Sequence, residues 1–178
     1  MTSTDRALLI GLLAGIHDGD HEITVDGEAE PGIRLLEIPG DPLPWQRARL
    51  SRTGHHFKDA RSRGAAAAVA KALLTIGPRP LALTNLALVL VFYRSDRTAM
   101  DLDNLEKLVM DAGTRAGVWL DDRQITAKAS KLELDAARPR TLIAIAPTTS
   151  TLDRTVRLGR SRAPRRRRTP ASTPGAIR

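Results

Sequence analysis

The residues best suited to chemistry lie in two short acidic groups between positions 101 and 122. Asp101 and Asp103 stand where an apolar stretch gives way to a helical pattern, Lys107 follows Asp103 by four residues, and Asp121 and Asp122 lie at the next turn. Two carboxylates about 5 Å apart repel by roughly 3 kcal/mol at an effective dielectric constant near 20, so they need a cation beside them unless one of them stays protonated. Mg²⁺ or Mn²⁺ meets that need, because these ions take oxygen ligands and activate water at a phosphodiester. A lysine one helical turn away would steady the charge of the transition state. The pattern indicates a metal-dependent nuclease.

The same residues have purely structural interpretations, which the spacing alone leaves open. An aspartate before a helix is a common N-cap, and Asp103 with Lys107 has the spacing of an ordinary ion pair on a helix surface. Asp121 and Asp122 are also typical turn residues. A helix of about 14 residues spans roughly 21 Å, so the far pair meets the near pair only if the chain folds back or the next strand returns it.

The elements that must position these residues mix strands and helices without a regular repeat. Apolar spacing predicts helices over residues 5–17 and 103–116, with Gly117 closing the second, and an alanine-rich composition predicts a helix over residues 60–76. Strands are predicted over residues 34–38, 49–52, 56–58, 85–94, 125–134 and 140–146. The continuously apolar 85–94 is the most central of them. Residues 41–44 (DPLP) indicate a loop or a sheet edge. This mixture predicts an α+β fold, a single domain with helices packed on a mixed β-sheet.

The composition excludes several classes of protein. The chain has 178 residues and no cysteine, which rules out a disulfide framework, a thiol nucleophile and a cysteine zinc site. The apolar run over residues 86–93 is far shorter than the roughly 20 residues that span a bilayer. The first residues lack the pattern of a secretory signal. We therefore expect a soluble, cytoplasmic protein.

Charge is distributed unevenly along the chain. Residues 1–30 contain seven acidic residues and one basic residue, whereas nine arginines and no acidic residue follow Asp153. After residue 147, Ser, Thr, Pro, Gly and Arg dominate and no apolar period survives. We expect an acidic N-terminal extension with a helix over residues 1–32, a domain over residues 33–147 and a flexible basic tail over residues 148–178. Such asymmetry favours a polyanionic partner, most simply nucleic acid; a solvated tail that aids solubility is the alternative.

The best candidate surface for DNA contact lies between the first strand and the second helix. Its basic side chains are Arg47, Arg49, Arg52, Lys58, Arg61 and Arg63. Contacts from such residues to phosphates give salt-dependent affinity that depends little on sequence. A solvated basic face is the alternative. The neighbouring His55 and His56 lack the further spacing of a metal site, so we expect them at the surface or facing DNA.

One segment, MDLDNLEKLVMDAGTRAGVWLDDRQI, closely resembles the signature of the RusA family of Holliday junction resolvases. That signature reads D-x-D-N-x-x-K, then a helix with D-A, then G-x-x-x-D-D-x-Q. The matching positions are Asp101, Asp103, Asn104, Lys107, Asp111, Ala112, Gly117, Asp121, Asp122 and Gln124. The flanks, including IPGDPLPWQRARLSR, agree more weakly, and the resemblance covers about residues 33–147. Residues 1–32 and the tail have no counterpart in a minimal family member.

The resemblance implies a Mg²⁺-dependent endodeoxyribonuclease that acts as a homodimer and cuts four-way junctions symmetrically in DNA recombination and repair. By that resemblance Asp101, Asp103 and Asp122 are metal ligands and catalytic residues, with Asp122 taken before Asp121, and Lys107 is their catalytic partner. A phage or prophage setting fits a small nuclease with a basic tail.

Two rival functions remain open from the sequence. One is a nuclease of the same chemistry that cuts flaps or replication forks, which a comparison of junction, flap and linear substrates separates. The other is a non-catalytic DNA-binding protein that assists recombination, which predicts affinity for DNA without Mg²⁺-dependent turnover.

Overall fold

The described part of the chain contains three α-helices and six strands. The computed structural model describes residues 1–16, 33–45, 49–50, 56–57, 60–76 and 85–149. The helices are α1 (Ser3–Ala14), α2 (Ala60–Leu73) and α3 (Leu102–Ala116). The strands are β1 (Arg34–Pro39), β2 (Arg49–Leu50), β3 (His56–Phe57), β4 (Leu86–Arg94), β5 (Ile125–Leu134) and β6 (Arg140–Pro147). A short 3-10 helix, Asp122–Gln124, precedes β5.

Four strands form one mixed sheet in the order β1-β6-β4-β5. The strands β4 and β5 are parallel and connected through α3, whereas β6 runs antiparallel to both β4 and β1. The strands β2 and β3 pair with each other in a separate, antiparallel sheet. The interior strand β4 is buried along almost its whole length, which explains why its sequence is continuously apolar. The predicted α+β fold with a mixed sheet is confirmed.

Helices cover both faces of the main sheet. Successive side chains of a strand point to opposite faces, so Leu88 of β4 packs under α2 and α3, whereas Val89 packs under α1. The first core also contains the fully buried Trp119, and the second contains Leu9 and Leu13 of α1. The N-terminal helix is therefore part of the core, with its apolar stripe against the sheet.

The helix α1 begins two residues earlier than predicted because Thr2 caps it. The Thr2 hydroxyl accepts the N–H of Asp5 at 3.1 Å, and the Asp5 carboxylate accepts the N–H of Thr2 at 3.2 Å. Asp5 also accepts hydrogen bonds from Arg140 at 2.7 Å and Arg138 at 2.5 Å, which tie α1 to the start of β6. Burial alone would raise the pKa of Asp5, but the hydrogen bonds from Arg140 and Thr2 outweigh it and hold the pKa well below its usual range.

The remaining element bounds differ from the predicted ones by a few residues. The helix α2 ends at Leu73, α3 begins at Leu102, and β2 and β3 have two residues each. Half of the predicted acidic N-terminal extension (residues 17–32) and most of the predicted basic tail (residues 150–178) lie outside the described residues. Among the helices that the structure describes, none is long and apolar enough to cross a membrane.

Candidate active site

Asp101 and Asp103 lie together at the N-terminal end of α3. Asp101 is the N-cap: its Oδ1 accepts the N–H of Asp103 at 3.2 Å, and its Oδ2 accepts the side-chain amide of Asn104 at 2.9 Å. The carbonyl of Asn104 in turn accepts the N–H of Trp45 at 2.8 Å, which holds the chain after β1 at this end of the helix. Both aspartates are exposed. A carboxylate offers about four lone-pair sites, so the cap leaves Asp101 able to accept a further ligand.

Lys107 lies on the exposed surface of α3, one turn after Asp103. The i,i+4 ion pair that the spacing allows is not formed, and within the described part of the chain Lys107 pairs with no carboxylate. Its ammonium group is therefore available to an anion that approaches the N-terminal end of the helix.

The loop that leads into Asp101 is held by a buried arginine. Arg94, which is 7% exposed, donates to Asp96 at 2.6 Å and to the sulfur of Met100 at 3.1 Å. Asp96 also accepts the N–H of Thr98 at 2.9 Å. The hydrogen bonds from Thr98 and the charge of Arg94 lower the pKa of Asp96. This network fixes the path of the chain between β4 and the first residue of the acidic motif.

Asp122 lies beyond the opposite end of α3, where two hydrogen bonds orient it. Its Oδ1 accepts the hydroxyl of Thr114 and, at 3.1 Å, the indole N–H of Trp119. Its Oδ2 accepts no hydrogen bond from any other described residue. Hydrogen bonds to one oxygen of a carboxylate are the usual means of directing the other oxygen toward a metal ion.

The turn that carries Asp122 is shaped by glycine and tryptophan. Gly117 ends α3 with a φ of +70°, the left-handed conformation that glycine adopts without steric cost. Trp119 follows and is fully buried, with its ring against Gly113 of the helix. Trp119 thus fills the core at the end of the helix, and its indole N–H donates a hydrogen bond to Asp122.

Asp121 has a structural role in the same turn. It caps the 3-10 helix: its Oδ1 accepts the N–H of Arg123 at 2.9 Å. The buried side chain of Gln124 completes the turn by accepting the N–H groups of Leu120 at 2.6 Å and Asp121 at 3.2 Å. The Asp121 carboxylate is thus engaged in this cap through its Oδ1.

The three predicted metal ligands do not meet within one chain. Asp101 precedes α3 and Asp122 is bonded to Thr114 in its last turn, so a rise of 1.5 Å per residue separates Asp101 from Thr114 by about 20 Å. No group of three or more His, Asp or Glu side chains that could hold a metal ion is found among the described residues. Asp101 and Asp103 are brought together, and Asp122 is held apart from them.

The two ends nevertheless share one side of α3. Three helical turns contain about 11 residues, so Asp103 and Thr114 project in the same direction, with Lys107 between them. Asp122 joins this side through its hydrogen bond to Thr114. We call the line from Asp103 through Lys107 to Asp122 the α3 stripe; it is about 16 Å long.

Two residues that hold this arrangement were not identified from the sequence. Thr114 orients Asp122, and Glu106, which is 6% exposed, binds Lys128 and Ser130 of β5. The sequence does indicate Thr114 indirectly: it lies 11 residues, or about three helical turns, after Asp103 and so projects from the same side of the helix. Glu106 gives no such signal, because its partners are distant in sequence.

The predicted DNA-contacting residues are only partly described. Arg61 and Arg63 lie exposed in the first turn of α2, and Arg49 lies in β2. The other three lie outside the described residues: Arg47, Arg52 and Lys58. His55 is also outside them, and His56 lies in β3.

Comparison with known proteins identifies relatives for the middle of the chain. The Crossover junction endodeoxyribonuclease RusA of Escherichia coli strain K12 is 37% identical over 79 residues, which are 44% of this chain and 59% of that protein. The protein of the same name from E. coli O139:H28 is 34% identical over 97 residues, which are 49% of this chain and 74% of that protein. That of Enterobacteria phage 82 is 60% identical over 30 residues, which are 17% of this chain and 25% of that protein.

The chain thus spans about three fifths of the length of the K12 protein and of the E. coli O1:K1 protein of the same name. A solved structure of the hydrogenase maturation protein HypE matches at 12% identity and a TM-score of 0.26, covering 80% of this chain and 41% of that one, a likeness too weak to carry an argument.

The family model for Endodeoxyribonuclease RusA matches residues 39–146, from the last residue of β1 almost to the end of β6. Because this match includes the whole α3 stripe and more than half of the sequence, the chain belongs to the RusA endodeoxyribonuclease family.

Proposed function

We propose that this protein is a divalent-metal-dependent endodeoxyribonuclease that resolves Holliday (four-way) junctions by paired, symmetric phosphodiester hydrolysis. Membership of the RusA family and the names of its relatives support the nuclease activity and the junction substrate. The proposal includes a homodimer that acts in DNA recombination and repair in the cytoplasm. The similarity to the protein of phage 82 supports a phage or prophage setting.

The carboxylates at the N-terminal end of α3 fit a hard divalent cation. Asp101 and Asp103 are exposed and lie two residues apart. Their side chains offer only carboxylate oxygen atoms as metal ligands. Mg²⁺ commonly binds one or two carboxylates together with water and substrate phosphate, so these residues would hold Mg²⁺ or Mn²⁺, with Asp122 as the third ligand. When bound, such an ion activates water and stabilises negative charge on the phosphate.

Lys107 supplies positive charge to the same side of the helix. A phosphodiester that approaches the carboxylates of Asp101 and Asp103 meets electrostatic repulsion, which a nearby ammonium group offsets. Lys107 would bind a phosphoryl oxygen and stabilise the additional negative charge of the pentacoordinate transition state. Its exposure and its lack of a carboxylate partner among the described residues suit it to this role.

The observation that carries the proposal is the place of Asp122 at the far end of the α3 stripe. Because one chain keeps Asp122 about 16 Å or more from the other two acids, a complete set of three carboxylates needs a second copy of the chain. Two-fold symmetry is by far the commonest in homo-oligomers. A two-fold axis through the middle of the stripe makes two α3 helices antiparallel, so that each Asp122 lies toward Asp101 and Asp103 of the other copy. Two identical sites then face a two-fold junction.

Contacts to the DNA backbone are assigned to the basic surface of the domain. Arg61 and Arg63 are exposed on α2, the helix that packs beside α3, and the other four predicted residues precede them in sequence. Phosphate contacts hold the substrate without reading its sequence, which suits recognition of a junction by shape.

Mixed-subunit complementation tests this proposal. We expect Asp103→Asn and Asp122→Asn, each alone, to bind a labelled four-way junction but to cut it in Mg²⁺ at less than a hundredth of the wild-type rate. In a heterodimer isolated with two different tags, one site carries both substitutions and the other carries neither, so cleavage of one strand returns. If the isolated heterodimer stays inactive, the shared site is wrong, and if the single variants still cut, the assignment of the acids is wrong.

Substrate comparison separates the proposal from its rivals. The wild-type protein should cut four-way junctions faster than flaps or linear duplex, and only with a divalent cation present. A preference for flaps would favour the branched-DNA nuclease. Binding of junctions without any Mg²⁺-dependent cleavage would favour the non-catalytic recombination protein.

A further inference from the structure

Glu106 is a buried carboxylate next to exposed, functional neighbours. Its side chain is 8% exposed, although Asp103 and Lys107 of the same helix are exposed. Its Oε2 accepts a hydrogen bond from the ammonium group of Lys128, and its Oε1 accepts one from the hydroxyl of Ser130. Both oxygens are therefore satisfied by partners on β5, which lie 22 and 24 residues further along the chain.

The partners of Glu106 lie on β5, an edge strand of the main sheet. Lys128 and Ser130 pair with Leu88 and Leu90 of β4, on the sheet face that α3 covers. The strand β5 is at the edge of the sheet, and none of its ten residues is buried. Burial of a charged group is costly unless it is paired, and here the paired group joins α3 to that edge strand.

The position of this contact relates it to the candidate active site. The helix α3 carries Asp103 and Lys107, whereas β5 continues directly from the turn that carries Asp122. Thr114 and Trp119 fasten that turn to the last part of the helix. Glu106 connects α3 to β5, the strand that follows this turn, at a point eight residues before Thr114, which is about 12 Å along the helix axis. Glu106 is therefore a second connection between α3 and the chain segment that carries Asp122, and it lies in the half of the helix that carries Asp103 and Lys107.

We infer that Glu106 is a positioning residue, which through Lys128 and Ser130 holds Asp103 and Lys107 in the orientation that the active site requires. This inference rests on the proposed nuclease function for its effect on turnover. Its effect on the helix does not depend on that function and is measured separately.

The test compares Glu106→Gln with a matched change of a glutamate on β5. Glutamine keeps the shape of the side chain and a hydrogen bond to Ser130, but it leaves Lys128 without its counter-charge. Single-turnover cleavage of a four-way junction in saturating Mg²⁺ should fall by about tenfold or more. Affinity for the junction without metal should stay within twofold of the wild-type value. In the metal-free protein, amide hydrogen exchange over residues 102–108 should accelerate, while exchange over residues 109–116 stays unchanged.

The matched control is Glu133→Gln. Glu133 also lies on β5 and forms an ion pair with Lys131 at 2.6 Å, but this pair is more exposed and lies on the opposite face of the sheet. We expect this control to leave cleavage and hydrogen exchange at wild-type values. If the control and Glu106→Gln have equal effects, a specific role for Glu106 is refuted.

A charge exchange keeps the inference testable if the single variant folds poorly. Glu106→Lys combined with Lys128→Glu should restore the ion pair and recover most of the lost cleavage rate and exchange protection. Wild-type cleavage or wild-type exchange in Glu106→Gln would overturn the inference, as would failure of the exchanged pair to recover either. Absence of Mg²⁺-dependent cleavage in the wild-type protein would instead refute the proposed function, and the hydrogen-exchange result would still decide whether Glu106 holds the helix.

Discussion

The ring of Trp119 lies so close to Gly113 that no other residue fits at that position of α3. A Cβ atom on Gly113 would come within 2.1 Å of Trp119 Cζ2. Glycine inside a helix costs about 1 kcal/mol relative to alanine, so it needs a compensating contact. The contact is the packing of Trp119, whose indole N–H also orients Asp122. The small residue in the helix and the direction of a candidate metal ligand are thus parts of one arrangement.

Replacement of Gly113 by alanine should therefore destabilise the protein despite the better helix propensity of alanine. We expect the free energy of unfolding to fall by roughly 1–3 kcal/mol, because the tryptophan or the helix must move. Urea unfolding measures this change. The control is Gly64→Ala in α2, where an added Cβ meets nothing within 4 Å, so stability should rise by up to about 1 kcal/mol. Equal effects at the two positions would contradict the packing argument.

Removal of the Thr114 hydroxyl should impair cleavage without weakening DNA binding. Thr114→Val keeps the size of the side chain but leaves Asp122 with Trp119 as its single described hydrogen-bond donor. We expect junction cleavage to fall by about tenfold and junction affinity to change by less than twofold, as for other residues that orient metal ligands. Thr75→Val, which removes a hydroxyl bonded to Ala72 at the exposed end of α2, should have no effect on cleavage. Wild-type cleavage by Thr114→Val would show that this hydroxyl does not position Asp122.

The acidic motif could be predicted because its determinants are local. Each feature depends on neighbours within a few positions of the chain. These features are the N-cap at Asp101, the position of Lys107 one helical turn after Asp103, and the left-handed conformation of Gly117 at the end of α3. The length of α3 predicts that the turn with Asp122 lies far from Asp101 unless the chain folds back, but it does not show which of the two occurs. Only the packing of Trp119 in the core decides that point.

Long-range partners explain what else the sequence could not show. The apolar spacing of residues 5–17 predicts the helix α1, but the arginines that bind Asp5 lie 133 and 135 residues away in sequence. The carboxylate of Glu106 likewise finds its partners on β5. Neither pairing leaves a periodic pattern, because each depends on which elements the sheet topology makes neighbours.

The affinity for DNA should depend on salt through the basic residues of α2. Arg61 and Arg63 are exposed, and each phosphate contact contributes about one unit to the slope of log affinity against log salt concentration. The double substitution of both by alanine should weaken junction binding and reduce that slope by about 2. Lys71→Ala, at the opposite end of the same helix, should leave the slope unchanged. Fluorescence anisotropy between 50 and 300 mM salt, roughly the range over which such contacts weaken, measures the difference. An unchanged slope in the double variant would place the DNA elsewhere.

The ion pair between Asp5 and Arg140 should make stability depend on acid pH. Both side chains are almost fully buried, at 5% and 6% exposure, and the pKa of Asp5 is held below its usual range by hydrogen bonds that outweigh the effect of burial. A carboxylate with a lowered folded-state pKa stabilises the fold above its unfolded pKa of about 3.9, and this stability is lost as the pH falls further. Asp5→Asn should cost about 3 kcal/mol at pH 7, because Arg140 remains buried with one acidic partner fewer. Urea unfolding should show this cost shrinking between about pH 4 and pH 2, because in that range Asp5 takes up a proton in the unfolded chain but stays largely ionised in the folded protein. A cost that is the same at both ends of that range would show that Asp5 acts through packing alone.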